Sequence, residues 1–403
     1  MSNEEKKGIT RRDLIKGTAA TAGLAAASLF VPPRFAIGAQ AKVKVGFLLP
    51  YTGTYAKLGT FCRDALKLRL AEAGNKLGGR EIEFIDVDSE ANPAKAPELT
   101  NRLIKRDKVD FLIGPVHSGV GMVMVKMARG DQGPITVVTN AGADQLTGSL
   151  CAPNIFRTSF SSYQMGYPGG PVMLEDGHKR VALVYWNYGF GKEVAAGFKK
   201  SFLAGGGTLV KEIPTPFPEV DFQAYLTELA ALKPDAIYTF YAGGGAAKFV
   251  KDFAAAGLKD SIKLYGAGFL TEGVLEAQGA AAEGVRTVLH YADTLDIPEN
   301  HKFRAAFKKA TGQEADVYAV QGYDAGELIL RGMEAVKGDT GARAEMIRAM
   351  ETAEIASPRG KLRFSPSHNP IHDVYLREVV KGENRVVRVA VKDQDDPAEG
   401  CSM

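Results

Sequence analysis

Little in this sequence announces chemistry directly. Its three cysteines, Cys62, Cys151 and Cys401, are an odd number, so at most one intramolecular pair can form. Cys62 with Cys151 is one pairing open to them; the other reading makes Cys62 a small buried hydrophobe on its helix. Of the six histidines only His368 and His372 lie close together, and Pro366 and Pro370 break the helix that would set them on one face. They read as surface-loop residues, and no metal or cofactor is expected. An excess of one charge is also missing: 50 basic residues stand against 47 acidic ones, which offers no nucleic-acid surface. No short repeat recurs, which sets aside solenoids and propellers.

The enzyme signatures are missing as well. After the first apolar run the chain reads P-Y-T-G-T-Y-A-K-L-G, without the G-x-G-x-x-G of a dinucleotide site or the lysine of a phosphate loop. Gly243-Gly244-Gly245 delivers backbone amides to a helix start, where an anion could dock, but a tight strand-to-helix turn is the favoured reading. There is no G-x-S-x-G elbow. Ser118 sits in G-P-V-H-S-G after an apolar strand, yet its neighbour His117 is too close in the chain to serve as its base. A ligand-binding turn fits better: a hydroxyl and amides at the C-terminal edge of a parallel strand are where such sheets take ligands.

What is present is a folded-protein composition, 45% apolar and 24% charged, over a length suited to two domains. Residues 1–41 read as an export leader. Thr10-Arg11-Arg12-Asp13-Leu14-Ile15-Lys16 resembles the twin-arginine motif, a weakly apolar run follows from Gly17 to Phe30, and Ala39-Gln40-Ala41 offers a cleavage site. That run is far short of the ~20 residues that span a bilayer. Removing the leader takes six basic and three acidic residues and leaves 44 of each, and no cysteine follows it to carry a lipid. A soluble periplasmic protein is the expectation.

From Val43 onward, short apolar strands alternate with helices, restart after Phe156, and lose the alternation in the last third. This predicts two α/β lobes joined by several crossings, hence a hinge. The first lobe is expected over 42–157 plus about 291–360, the second over 158–290 plus about 361–390, and a frayed tail over 391–403. Tyr51, Tyr55, Tyr163, Trp186, Tyr188 and Tyr241 fall in loops at strand C-termini, which suggests a cleft lined by aromatic rings with polar tips.

From Lys42 to about Val389 the chain resembles the periplasmic substrate-binding proteins of the Leu/Ile/Val-binding type, the receptors of ABC importers. The resemblance rests on V-G-F-L-L-P-Y-T-G-T-Y-A-K-L-G, D-F-L-I-G-P-V-H-S-G, T-N-A-G-A at Thr139–Ala143, I-F-R-T-S at Ile155–Ser159, Y-G-F-G at Tyr188–Gly191, L-K-P-D-A and Y-D-A. It implies a type I periplasmic-binding-protein fold, two Rossmann-like lobes with three crossovers, no catalysis, and a permease and ATPase in the inner membrane as partners of a monomer. The carboxylate of the family's ligands would fall to Ser118, with His117 and Gly119 beside it, and to Asn140, Ala141 and Gly142; Tyr55, Tyr163, Tyr188 and Tyr241 would line the cleft. Where amino acid binders place an acid for the ligand's ammonium, this chain has Gly268, followed by Phe269, and only Glu272 is near enough to substitute.

An ammonium stripped of water without a partner is costly. The resemblance therefore favours an organic acid, and the A-G-G-G and G-F-L-T stretches are similar to those of receptors for benzoate- or cinnamate-type acids. A branched-chain amino acid or amide is the alternative ligand; an exported enzyme, or a receptor feeding a sensor, is the alternative class.

Overall fold

The computed structural model describes residues 41–218 and 220–403; the leader expected over residues 1–41 lies outside them apart from Ala41. Two sheets carry the architecture. The first is built from β1 (Val43–Leu49), β2 (Lys76–Leu77), β3 (Arg80–Asp88), β4 (Phe111–Ile113), β5 (Ile135–Val138) and β6 (Ile155–Arg157), in the order β2-β3-β1-β4-β5-β6. All neighbours are parallel except β2 and β3. The short, uniformly apolar strands β4 and β5 are buried along their whole length, as strands covered by helices on both faces must be.

The second sheet holds β7 (Arg180–Trp186), β8 (Thr208–Thr215), β9 (Ala236–Phe240), β10 (Lys263–Ala267), β11 (Arg286–Leu289), β12 (Ile355–Ser357), β13 (Gly360–Phe364), β14 (Pro370–Val380) and β15 (Glu383–Gln394). Its order is β12-β13-β14-β11-β10-β9-β7-β8, with β15 on β14. β7 to β11 are parallel; β14 and β15 join antiparallel.

The chain crosses between the sheets after β6, returns after β11, and crosses again before β12. On its return the helix Val317–Ala335 packs along the helix Ala56–Glu72. Gly322 permits that approach, since a Cβ there would sit 2.0 Å from the carbonyl oxygen of Cys62. The two-lobed α/β fold with three crossings is the expected one.

Of the two readings of Cys62, the buried unpaired one holds, and two expectations change. Cys62 is a free, buried thiol whose Sγ donates to the Tyr318 carbonyl, whereas Cys151 pairs with Cys401. The tail does not fray: β15 runs on to Gln394, and the disulfide then fastens residue 401 to the loop before β6. Sequence composition could not show this, because one covalent bond holds the polar segment. His368 and His372 are buried rather than on a surface loop. His368 stacks on Phe156 at 4.1 Å and hydrogen-bonds to the Ile155 carbonyl and Glu351, while His372 stacks on His290. Among the described residues no helix is long and apolar enough to cross a membrane.

Candidate functional site

Strands β1, β4, β5, β7 and β9 end, at their C-termini, around one cavity between the lobes. Tyr55, Leu58, Val116, Asn140 and Gly142 line it from the first lobe, and Tyr318 from the returning helix. Phe160 comes from the first crossing, and Tyr188, Phe190, Phe240, Ala242 and Phe269 from the second lobe. Seven of these twelve are aromatic and none is charged, so the walls suit a flat apolar body and offer no counter-ion.

The rings brace one another. Phe190 meets Phe240 edge-to-face at 4.7 Å, Phe160 lies 4.9 Å from Phe269, and Phe269 stacks on Tyr318 at 5.9 Å. At the mouth the lobes touch through hydroxyls: Tyr55 Oη and Tyr188 Oη are 3.1 Å apart. His117, from the first lobe, stacks on Tyr188 with ring centres 4.7 Å apart. Gly142 shows how tightly the wall is drawn, because a Cβ there would lie 2.3 Å from the Phe190 ring.

Polarity enters at few points. Ser118 is 2% exposed and opens the 11-residue helix Ser118–Ala128; among the described residues its hydroxyl and that of Tyr318 find no hydrogen-bond partner. Buried polar groups in folded proteins are normally paired, so the unpaired hydroxyl of Tyr318, a lining residue, points to a ligand atom. The helices Gly189–Ala204 and Gly243–Ala255 also begin at the cavity, with Tyr188 and Ala242 at their N-caps. Two helix N-termini thus lie at its wall with their partial positive charge, which favours an anion.

Ionised side chains do not supply that charge. Burial pushes the His117 imidazole down to about 4, so it is neutral at pH 7, and its Nδ1 accepts the Gly119 N–H at 3.0 Å. Burial, reinforced by Tyr188, holds the Tyr55 phenol well above its ordinary value. A bound carboxylate would be held by neutral donors and helix termini.

Tyr55, Asn140, Gly142, Tyr188 and Phe269 of the expected site line the cavity; Ser118, His117 and Ala141 are buried and are not among its lining residues. Four more of the expected residues do not line it either. Gly119 faces Pro93 and spends its amide on His117. Gly268 backs onto Leu289, and its carbonyl accepts from Arg377. Tyr163 lies in a separate surface hollow beside Tyr167 and Lys200. Tyr241 is buried behind the wall against Trp186, its hydroxyl 3.1 Å from Thr215 Oγ1.

Glu272 cannot serve as an ammonium partner. Its Oε2 pairs with Arg377 at 2.7 Å and its Oε1 accepts the Val317 N–H, and none of the three residues lines the cavity. Phe160, Phe190, Phe240 and Tyr318 are lining residues that sequence reasoning did not select. Phe190 and Phe160 lie within or beside the motifs Y-G-F-G and I-F-R-T-S, which was the available signal.

Residues 42–384 match the model of the periplasmic binding protein family. The chain belongs to that family. Among its curated relatives, Leu/Ile/Val-binding protein homolog 6 of Brucella abortus is 32% identical over 349 residues, covering 85% of this chain and 88% of the relative. Among solved structures, the solute-binding protein of an ABC transporter from R. palustris, in complex with benzoate, is 50% identical with a TM-score of 0.88, covering 90% of this chain and all of that one. A second, from Rhodopseudomonas palustris BisB5 in complex with 3,4-dihydroxybenzoic acid, is 32% identical with a TM-score of 0.83, covering 88% and 99%.

Proposed function

We propose that this periplasmic binding protein is the receptor of an ABC importer, and that it closes its lobes on a small aromatic carboxylate and presents the closed form to a permease and its ATPase. The observation that carries this is the cavity itself: seven aromatic rings, no charged side chain, and, on the lining residue Tyr318, a buried hydroxyl without a partner among the described residues. The aromatic acids bound by the two solved relatives support the same ligand class. An amino acid would leave its ammonium unpaired, because Glu272 is already committed to Arg377. The reading assigns the protein no catalytic step, treats it as a monomer, and places it in the periplasm. The Cys151–Cys401 disulfide supports an oxidising compartment.

Thermal unfolding of ligand-free protein tests the ligand class. At a hundredfold excess over Kd a ligand that binds only the folded state adds about 2.7 kcal/mol. Benzoate should raise the melting temperature accordingly and leucine should leave it unchanged; a shift with leucine alone would refute the aromatic-acid assignment.

Three substitutions then test the site by calorimetry. Ser118→Ala should weaken benzoate binding by about 1–3 kcal/mol, the cost of removing one partner from a buried charged hydrogen bond, with little change in folding stability. Phe190→Ala should weaken binding through lost ring contact. Tyr241→Ala, whose ring does not reach the cavity, should change stability more than affinity. Equal affinity losses for these last two would mean that the ligand lies elsewhere.

A further inference from the structure

Behind the cavity wall a line of buried polar groups leads from Asn140 into the hinge. Asn140 Nδ2 donates to Gln321 Oε1 at 2.7 Å, and Gln321 Nε2 lies 3.2 Å from His290 Nε2. Gln321 and His290 are fully buried, and Asn140 is 6% exposed, at the cavity surface. The backbone at Gln321 is held by the Thr158 hydroxyl, which donates to its carbonyl at 3.0 Å. Phe160, a wall residue, lies against the His290 ring.

His290 is neutral. Burial, followed by the charges of Arg359, His372 and Arg377 around it, holds its imidazole well below the ordinary value. A neutral imidazole has one donor and one acceptor nitrogen, and a carboxamide has one end of each kind. The line therefore has two arrangements with equal numbers of hydrogen bonds. In one, Asn140 Nδ2 donates to Gln321, Gln321 donates to His290 Nε2, and the His290 proton sits on Nδ1. In the other, both amides are turned over: His290 Nε2–H donates to Gln321 Oε1, Gln321 Nε2 donates to Asn140 Oδ1, and Asn140 Nδ2 faces the cavity.

The two differ at the far end. His290 Nδ1 is buried without a partner among the described residues. The first arrangement strands an N–H there, whereas the second leaves only a bare acceptor, the more tolerable of the two in a protein interior.

We propose that Gln321 and His290 are positioning residues that turn the Asn140 carboxamide donor-first toward the cavity, and so select an acceptor-only head group, a carboxylate, over a carboxamide. This rests on the reading of the cavity as an aromatic-acid site. It identifies two residues that never touch the ligand as determinants of its charge class.

Two measurements on the full mature chain test the proposal, with benzoate and its neutral isostere benzamide as probes. In Gln321→Glu the new carboxylate accepts from both neighbours, which turns Asn140 Oδ1 to the cavity. The ratio of benzoate to benzamide affinity should then fall roughly tenfold or more. The second measurement needs no variant at Gln321: nitrogen-15 NMR of histidine-labelled wild-type protein, with the His290 signal assigned by its loss in His290→Gln. In the benzoate complex His290 should carry its proton on Nε2. A proton on Nδ1 in that complex, or an unchanged ratio in folded Gln321→Glu, overturns the proposal. If wild-type protein binds neither probe, it is the aromatic-acid reading that fails, and the relay with it.

Discussion

Replacing Arg377 by methionine should cost about 3–5 kcal/mol of folding stability, the range for breaking a buried ion pair from one side. Arg377 lies on β14 and is 0% exposed. Its Nη1 donates to Glu272 Oε2 at 2.7 Å and to the Tyr291 carbonyl at 2.8 Å; its Nη2 donates to the Gly268 carbonyl at 3.0 Å. Thr287 Oγ1 accepts from Nε and Nη2. One guanidinium thus joins the loop after β10, strand β11, the start of the second crossing and β14.

Methionine fills much of the space but leaves a buried carboxylate and two carbonyls short of donors. Urea unfolding of the single and double variants would measure the loss. Arg377→Met with Glu272→Met should recover part of it, because removing both charges removes the unpaired one. If the double variant were no more stable than Arg377→Met, the carbonyl contacts would carry the effect and the ion pair would not.

The same pair shows where sequence reasoning stops. Gly268 and Glu272 mark the place where amino acid binders keep an acid, and that much is legible locally. That Glu272 is already consumed depends on Arg377, which lies 105 positions away and meets it only through the antiparallel docking of β14 on β11. The frame was legible, by contrast, because apolar strands alternating with helices leave few topologies open. The ends of those strands then placed Tyr55, Asn140 and Tyr188 at the cleft.

Parity was the harder question. Strand β9 is buried at every position, so nothing in its composition tells which of Phe240 and the adjacent Tyr241 faces the cavity. Phe240 does, and Tyr241 packs behind it. Tyr318 was missed for a different reason: it enters from a helix that returns to the first lobe after the second crossing, and not from the C-terminal end of a strand.

Opening the Cys151–Cys401 bond should lower stability by about 2–4 kcal/mol. The bond spans 250 residues of sequence. Cys151 precedes β6 of the first sheet, while Cys401 follows β15 of the second, so it links the lobes covalently outside the three crossings. In the unfolded chain such a long closed loop excludes many extended conformations, and reduction restores them, favouring the unfolded state. In the folded state reduction also releases the segment whose Glu399 carbonyl packs against Gly148. Thermal unfolding with and without a phosphine reductant should show the loss. Cys151→Ser with Cys401→Ser should reproduce it and then be insensitive to the reductant. Thiol titration of the denatured, unreduced protein should find one group per chain, Cys62, the free thiol of the three cysteines. Three titratable thiols would mean that the bond is absent from the purified protein, and the support it lends to a periplasmic location would have to be withdrawn.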